Sequence, residues 1–348
     1  MKVAQLTALR DLEIGECHEP RLERPDEVLL RIDRVGVCGS DVHYYTEGRI
    51  GDQVVEYPTT LGHECAGTVI EAGDGVRTLR PGDRVAVDPA IVCEDCDQCR
   101  AGRWNTCRNL RFMGCPGEAA GALAEYYVLP ARNCIRLPDR VTLDEAVLAE
   151  PLSIGMYAVR LGEVYPAARV AVLGAGPIGL SVLAATKTAA PATVYVTDRI
   201  NARLKVAVQL GADWTGNPER NDVVRVIQQQ EPWGLDLVFE CSGDPACIDQ
   251  AIALLTPGGT LVLVGIPPAP RIDFDVHAMR RRELFIKNVR RQKGCLAPAI
   301  RFLEEGGLDT PLLLTHRYGL EKAQEAFELV ADYRDGVVKA VVDLSGAD

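Results

Sequence analysis

The stretch RVAVLGAGPIGLSVLAATKTAAPATVYVTD, residues 169–198, decides the fold. An apolar run from Arg169 to Leu173 leads directly into Gly174-Ala-Gly176-Pro177-Ile178-Gly179. An apolar helical segment follows, and then a second strand-like run that ends in Asp198. Strand, G-x-G-x-x-G turn and helix in that order are the setting in which such glycines bind a dinucleotide. They permit a tight turn and a close approach of the backbone to a pyrophosphate, which then rests on the positive end of the helix. Asp198 stands about 20 residues past the last glycine, where a carboxylate accepts hydrogen bonds from ribose hydroxyls and repels a ribose 2′-phosphate. NAD is therefore expected over NADP, with Arg199 beside the acid as the one feature that argues the other way. A strand-to-helix turn without a ligand is the plainer alternative. The two halves of the pattern standing in register speak against it.

Working outward, apolar strands keep alternating with longer amphipathic stretches from about Pro151: ARLKVAVQLGA (202–212), LDLVFECSG (235–243), PACIDQAIALL (245–255) and TLVLVG (260–265). That alternation is the signature of a parallel sheet wound with helices, and it predicts six buried strands. Residues before Pro151 read differently, as short extended runs broken by Gly, Pro and Asp: EVLLRIDRVGV (27–37), GTVIEAG (67–73), RVAVDPAIV (84–92) and LAEYYVL (123–129). Their character is β-rich. After about residue 290 a helical segment, APAIRFLEEGGL, and a strand, VVKAVVDL, remain. The parallel sheet does not need them, so a return to the first domain is expected. The boundaries are placed at 1–153, 154–288 and 289–348, with a cleft between two closely packed domains.

Composition agrees with a two-domain globular chain. The 348 residues are 47% hydrophobic and 25% charged, with 38 Lys and Arg against 49 Asp and Glu, a net charge of -11. No basic tract offers a face for nucleic acid or an anionic membrane, which leaves a small molecule as the expected partner. No window approaches a membrane span and the N-terminal segment has no signal-peptide run, so a cytoplasmic location is expected. In a reducing compartment the 12 cysteines are read as metal ligands where clustered and as packing residues where scattered.

One cluster is dense. Cys93-Glu-Asp-Cys96-Asp-Gln-Cys99, then seven residues, then Cys107 gives four thiols in fifteen positions, within a lobe spanning 93–107. Four sulfurs at this spacing can close a tetrahedron around zinc and leave no open position, which makes a structural site and not a catalytic one. A second group of ligand types is dispersed: Cys38 in GVCGSDVHYY, His63 and Glu64 in LGHE, and Glu150 in AEP. Taken singly, each has an ordinary reading as a core cysteine or a polar turn.

The segments GVCGSDVHYYTEGRIG (36–51), LGHECAGTV (61–69), RVAVDP (84–89), LAEPLSIGMYAV (148–159), GAGPIG (174–179), VTDRINARL (196–204) and TPGGTLVLVG (256–265), with the four-cysteine run, resemble the zinc-dependent medium-chain alcohol dehydrogenases. Within that family they resemble the sorbitol (polyol) dehydrogenase branch. The resemblance covers nearly the whole chain. It implies an α/β architecture, a GroES-like β-rich catalytic domain plus a Rossmann doubly wound parallel sheet, and a homotetramer, with a dimer as the alternative.

The same resemblance implies a catalytic zinc held by Cys38, His63 and Glu64 with a water, and Glu150 bonded to that water or exchanging with it. The alcohol dehydrogenase branch has a cysteine at the place of Glu150, so a glutamate points to polyols as substrates. The resemblance further implies that Ser40 and His43 relay a proton, that Tyr44 lines the substrate pocket with Glu150, that Arg203 helps hold the adenosine end of NAD, and that Arg291 reaches substrate hydroxyls. The family follows this last arginine with a tyrosine, whereas Gln292 stands here. A solvated basic run from Arg280 to Lys293 is the other reading of Arg291, and a solvated helix face the other reading of Arg203. The competing functions are L-threonine 3-dehydrogenase or another zinc alcohol dehydrogenase and, from a different class, an NAD(P)H-binding structural protein.

Overall fold

The computed structural model describes residues 1–346. The chain divides into two compact units, residues 1–150 with 296 onward, and residues 151–295. The second break falls later than the expected 288/289 because the chain stays with the second unit after its last strand, Phe285–Asn288. Val289 N donates to Leu263 O at 2.9 Å, the Arg160 guanidinium donates to Lys293 O, and Cys295 N donates to Gln292 Oε1 at 2.8 Å. Residues 347 and 348 of the expected C-terminal return lie outside the described residues.

The first unit is built around the strand Glu27–Gly36, ten residues whose apolar positions alternate into a core. Strand Glu64–Ala72 lies antiparallel beside it, with Gly36 opposite Glu64. On the other side lies strand Lys339–Asp343, also antiparallel, with Val341 opposite Gly36. This register brings three sequence-distant segments to one end of the sheet. Cys38 follows Gly36 by two residues, His63 precedes Glu64, and Lys339 begins the third strand. The sheet continues through Arg84–Val87 to Cys134–Arg136 on one side and through Leu314–Gly319 on the other. Helix Ala323–Ala331 covers part of it, and its Phe327 ring packs on Tyr45 at 5.4 Å between centroids.

The second unit is a six-stranded parallel sheet. Its spatial order is Trp214–Gly216, Thr193–Thr197, Arg169–Leu173, Leu235–Glu240, Leu255–Leu263 and Phe285–Asn288, so numbering the strands along the chain gives 3-2-1-4-5-6. That is the doubly wound dinucleotide-binding order, and its switch point lies at the carboxyl ends of the first and fourth strands, where Leu173 stands opposite Glu240. Six buried strands were expected, but Phe285–Asn288 and Trp214–Gly216 are partly exposed. An edge strand has a neighbour on one side only.

Phe327→Ala would remove a ring from the core of the first unit. We expect a loss of about 3–5 kcal/mol in urea denaturation, and a loss below about 1 kcal/mol would mean that the C-terminal helix is not part of that core.

Candidate zinc and dinucleotide sites

The four-cysteine lobe is a ready tetrahedron. The sulfurs of Cys93, Cys96, Cys99 and Cys107 all lie within 4.8 Å of one another, the only group of three or more such ligand atoms this close among the described residues. Individual sulfur pairs stand 4.0 Å apart for Cys93 with Cys99, 4.0 Å for Cys96 with Cys107 and 3.4 Å for Cys107 with Cys93. Bonds of about 2.3 Å to a central zinc would give tetrahedral edges of about 3.8 Å. Backbone N–H groups of Arg108 and Cys99 lower the pKa of the Cys96 thiol and so favour the thiolate that a metal needs. The donor set fits a closed zinc site.

The second group of ligand types converges at the end of the sheet described above. Cys38 caps the helix Gly39–Glu47, and Ser40 Oγ donates to its sulfur at 3.3 Å. His63 is buried, and its Nδ1 lies 3.2 Å from Asp41 Oδ1. A carboxylate only accepts, so Nδ1 carries the proton and Nε2 is the atom left to ligate. Burial disfavours the charged ring, but the Asp41 and Cys38 charges, with hydrogen bonds to both, raise the His63 pKa well above its ordinary value. Glu150 is also buried, and desolvation with the nearby Glu64 charge pushes it up to about 7 against the pull of His63 and Lys339. Thiol, imidazole and carboxylate together suit zinc.

Glu64 has a partner that the sequence did not indicate. Both its oxygens lie on Lys339 Nζ, at 2.7 and 2.5 Å, and the same ammonium donates to Val37 O at 3.1 Å. Both side chains are 1% exposed. The carboxylate is engaged in a buried ion pair with a residue from the end of the chain.

Three residues of this site escaped the sequence reading. Asp41 was signalled only as an acid three positions past Cys38, and Lys339 only as a lone charge in the apolar run VVKAVVDL. Phe112, whose ring packs on His63 at 5.2 Å between centroids, had no signal.

Ser40 and His43 share a helix face, being three residues apart. The Ser40 hydroxyl is turned to Cys38 and His43 Nδ1 lies 3.2 Å from Glu47 Oε1, with the ring partly exposed. Tyr44 is buried and its hydroxyl donates to Gln53 Oε1 at 3.0 Å. Burial and the nearby Cys115 raise its pKa, so it keeps its proton.

In the second unit the glycine-rich turn has the geometry its pattern demands. Gly174 adopts a φ of +100, and a Cβ on Gly179 would sit 1.8 Å from Gly174 O. Gly176 caps the helix Pro177–Lys187, whose first N–H groups, at Ile178 and Gly179, have no partner further up the helix. A Cβ on Gly176 would meet nothing closer than the Arg203 guanidinium, at 3.7 Å. That leaves a backbone cradle open to a pyrophosphate, with a cation beside it. Arg203 is buried beside Gly176, so it does not lie on a solvated helix face. Asp198 Oδ2 accepts from Ala175 N and Oδ1 from Ile200 N, both at 2.7 Å. The carboxylate thus holds the turn while keeping further lone pairs for a ribose. Arg199 is exposed. Arg291 belongs to this second unit and is partly buried with φ 54, unlike the exposed Arg280, Arg281 and Arg290, so it is not part of a solvated run.

Comparison with known proteins fits both halves. Residues 24–139 match the alcohol dehydrogenase GroES-like domain and residues 177–305 the zinc-binding dehydrogenase domain. The chain is therefore a member of the zinc-dependent medium-chain dehydrogenases, oxidoreductases acting on CH–OH groups, with a GroES-like domain and a Rossmann domain. Within the family it falls in the sorbitol dehydrogenase branch. It is 36% identical over 343 residues to sorbitol dehydrogenase of Bacillus subtilis (strain 168), covering 98% of this chain and 97% of that one. It is 42% identical over 307 residues to sorbitol dehydrogenase of Gallus gallus, covering 87% and 86%. Among solved structures it resembles an Escherichia coli oxidoreductase/dehydrogenase of unknown specificity, with a TM-score of 0.93 at 34% identity and 99% of each chain covered.

Lys339→Met would strand the buried Glu64 carboxylate. We expect a cost of about 3–5 kcal/mol in urea denaturation, most of it recovered in the double variant Glu64→Leu/Lys339→Met. A double variant as unstable as the single one would mean that the pair is not the source of the loss.

Proposed function

We propose that this chain oxidises a secondary alcohol of a polyol such as sorbitol or xylitol to the ketose, with NAD taking the hydride and one proton released. The observation that carries the reading is the meeting of the half-buried Cys38 with the buried His63, beside the buried Glu150, in a chain whose relatives include sorbitol dehydrogenases 36% and 42% identical. When bound, zinc supplies the Lewis acidity that lets an alcohol release its proton near neutral pH, and NAD supplies the hydride acceptor.

The chain's own residues do the rest. Asp41 fixes the tautomer of His63, so that Nε2 is the atom that would hold zinc together with the Cys38 sulfur. Glu150 completes the donor set and gives the pocket a polar wall. Phe112 excludes water from one face of the His63 ring. Ser40 Oγ, two residues past Cys38, receives the proton, and His43, partly exposed one helical turn further on, passes it to solvent. In the second unit Gly174, Gly176 and Gly179 hold the pyrophosphate with Arg203, and Asp198 takes the ribose hydroxyls and selects against a 2′-phosphate. A cytoplasmic location is proposed with it, since four clustered thiols suited to a metal fit a reducing compartment. Assembly as a homotetramer, with a dimer as the alternative, is proposed from the family likeness.

The deciding experiment is a panel of sorbitol, xylitol, galactitol and threonine with NAD and NADP on zinc-replete enzyme. We expect polyol oxidation with NAD, abolished by a chelator and restored by zinc, and at least about 100-fold weaker in Glu150→Ala. Polyol oxidation that persists in zinc-free protein sinks the reading, and a strong NADP preference removes the role given to Asp198.

A further inference from the structure

A hydrogen-bonded chain begins and ends at the surroundings of His63. Helix Gly39–Glu47 starts beside Cys38, presents Asp41 to His63 Nδ1, and carries Tyr44 three residues further on the same face. Tyr44 donates to Gln53 Oε1 at 3.0 Å, and Gln53 Nε2 donates to Glu118 Oε1 at 2.7 Å. Glu118 Oε2 in turn accepts from Phe112 N at 2.7 Å, and the Phe112 ring lies on His63. Gln53 belongs to the short hairpin Arg49–Ile50 and Gln53–Val54, where it pairs with Ile50. The mechanism above uses neither Gln53 nor Glu118.

We propose that Gln53 and Glu118 set the hydrogen-bond polarity of Tyr44, so that the site accepts neutral polyols and rejects aldonates and polyol phosphates. This rests on the polyol reading and deepens it. The logic is one of donors and acceptors. An ionised carboxylate only accepts, so Glu118 fixes which end of the Gln53 amide faces it: the NH2 group. The amide oxygen must then face Tyr44, and the single phenolic proton is drawn into that bond. Tyr44 Oη is left with lone pairs to offer. The neighbouring Cys115 sulfur, 3.7 Å away, is a second and much weaker acceptor for the same proton. A substrate group that meets Oη must therefore donate. A hydroxyl can; a carboxylate or a fully ionised phosphate cannot, and would set acceptor against acceptor in a buried site. Gln53 and Glu118 touch no reacting atom in this scheme. They are positioning residues acting through Tyr44.

The test compares kcat/KM for sorbitol, sorbitol 6-phosphate and gluconate at pH 8, where both anions are fully ionised. Wild type is expected to favour sorbitol over either anion by about 100-fold or more. In Glu118→Gln the Gln53 amide is free to turn over and Tyr44 can donate, so that preference falls about tenfold, chiefly through a lower KM for the anions. Gln53→Leu breaks the same relay without disturbing the Phe112 amide and gives the same shift. In a Tyr44→Phe background, which lacks the oxygen, Glu118→Gln has no further effect on the ratio.

The proposal is overturned if both single variants keep the wild-type ratio within twofold, or if Glu118→Gln still lowers it in Tyr44→Phe. Sorbitol oxidation with an unmoved ratio overturns this proposal alone. Absence of NAD-dependent oxidation of any neutral polyol overturns it together with the function it rests on.

Discussion

A single buried ammonium organises the first unit's chemistry. Lys339 places its three donors on Glu64 Oε1, Glu64 Oε2 and Val37 O, so neither charge is left unsatisfied in an interior from which water is excluded. Val37 immediately precedes Cys38, and Glu64 immediately follows His63. The ammonium therefore fixes two backbone positions next to Cys38 and His63, from a residue some 300 positions along the chain from the first of them. Such a pair contributes little net stability compared with an apolar substitute of the same volume, and its value lies in register. A strand of apolar residues alone could pair with Glu27–Gly36 in more than one way, whereas a buried lysine has one low-energy place to put its charge. The return of the chain after the dinucleotide-binding unit thus belongs to the construction of the site.

The two groups of candidate ligand side chains differ in the way their proposed uses require. The four thiols of the lobe stand at tetrahedral spacing and offer no position to a substrate. The Cys38, His63 and Glu150 donors come from a helix cap, a strand entrance and a long helix, and they are dispersed more widely. Each of the first two is oriented by a hydroxyl or carboxylate on the same short helix: Ser40 on the sulfur and Asp41 on the imidazole. Outer partners of this kind set tautomer and direction, and they decide how a mixed site meets its metal. The second unit repeats the economy with Asp198, which ties the glycine-rich turn to the next helix while keeping acceptor capacity for a ribose.

What the sequence disclosed follows from the range of each interaction. The glycine pattern, the four cysteines and the β-rich and α/β textures are local, and each could be read in a window of thirty residues or fewer. The Glu64–Lys339 pair, the Gln53–Glu118 bond and the packing of Phe112 on His63 join segments that nothing local connects. Residue type alone made Glu64 a ligand candidate as good as Glu150. Only the neighbouring cation, supplied from the far end of the chain, separates them. Arg203 shows the same limit, since its spacing on a helix fitted a solvated face, whereas it is buried beside Gly176.

The charge balance explains why Glu64 keeps its place. The Glu64–Lys339 pair sums to zero charge in an interior from which water is excluded. Drawing Glu64 away from Lys339 would leave an uncompensated buried cation, and a charge separation in a poorly solvated interior would replace none. Lys339 thus does for Glu64 what Glu118 does for the Gln53 amide, which it holds with its NH2 group inward. Neither reaches the reacting atoms, and each fixes, through one neighbour, the charge or proton that the site can present.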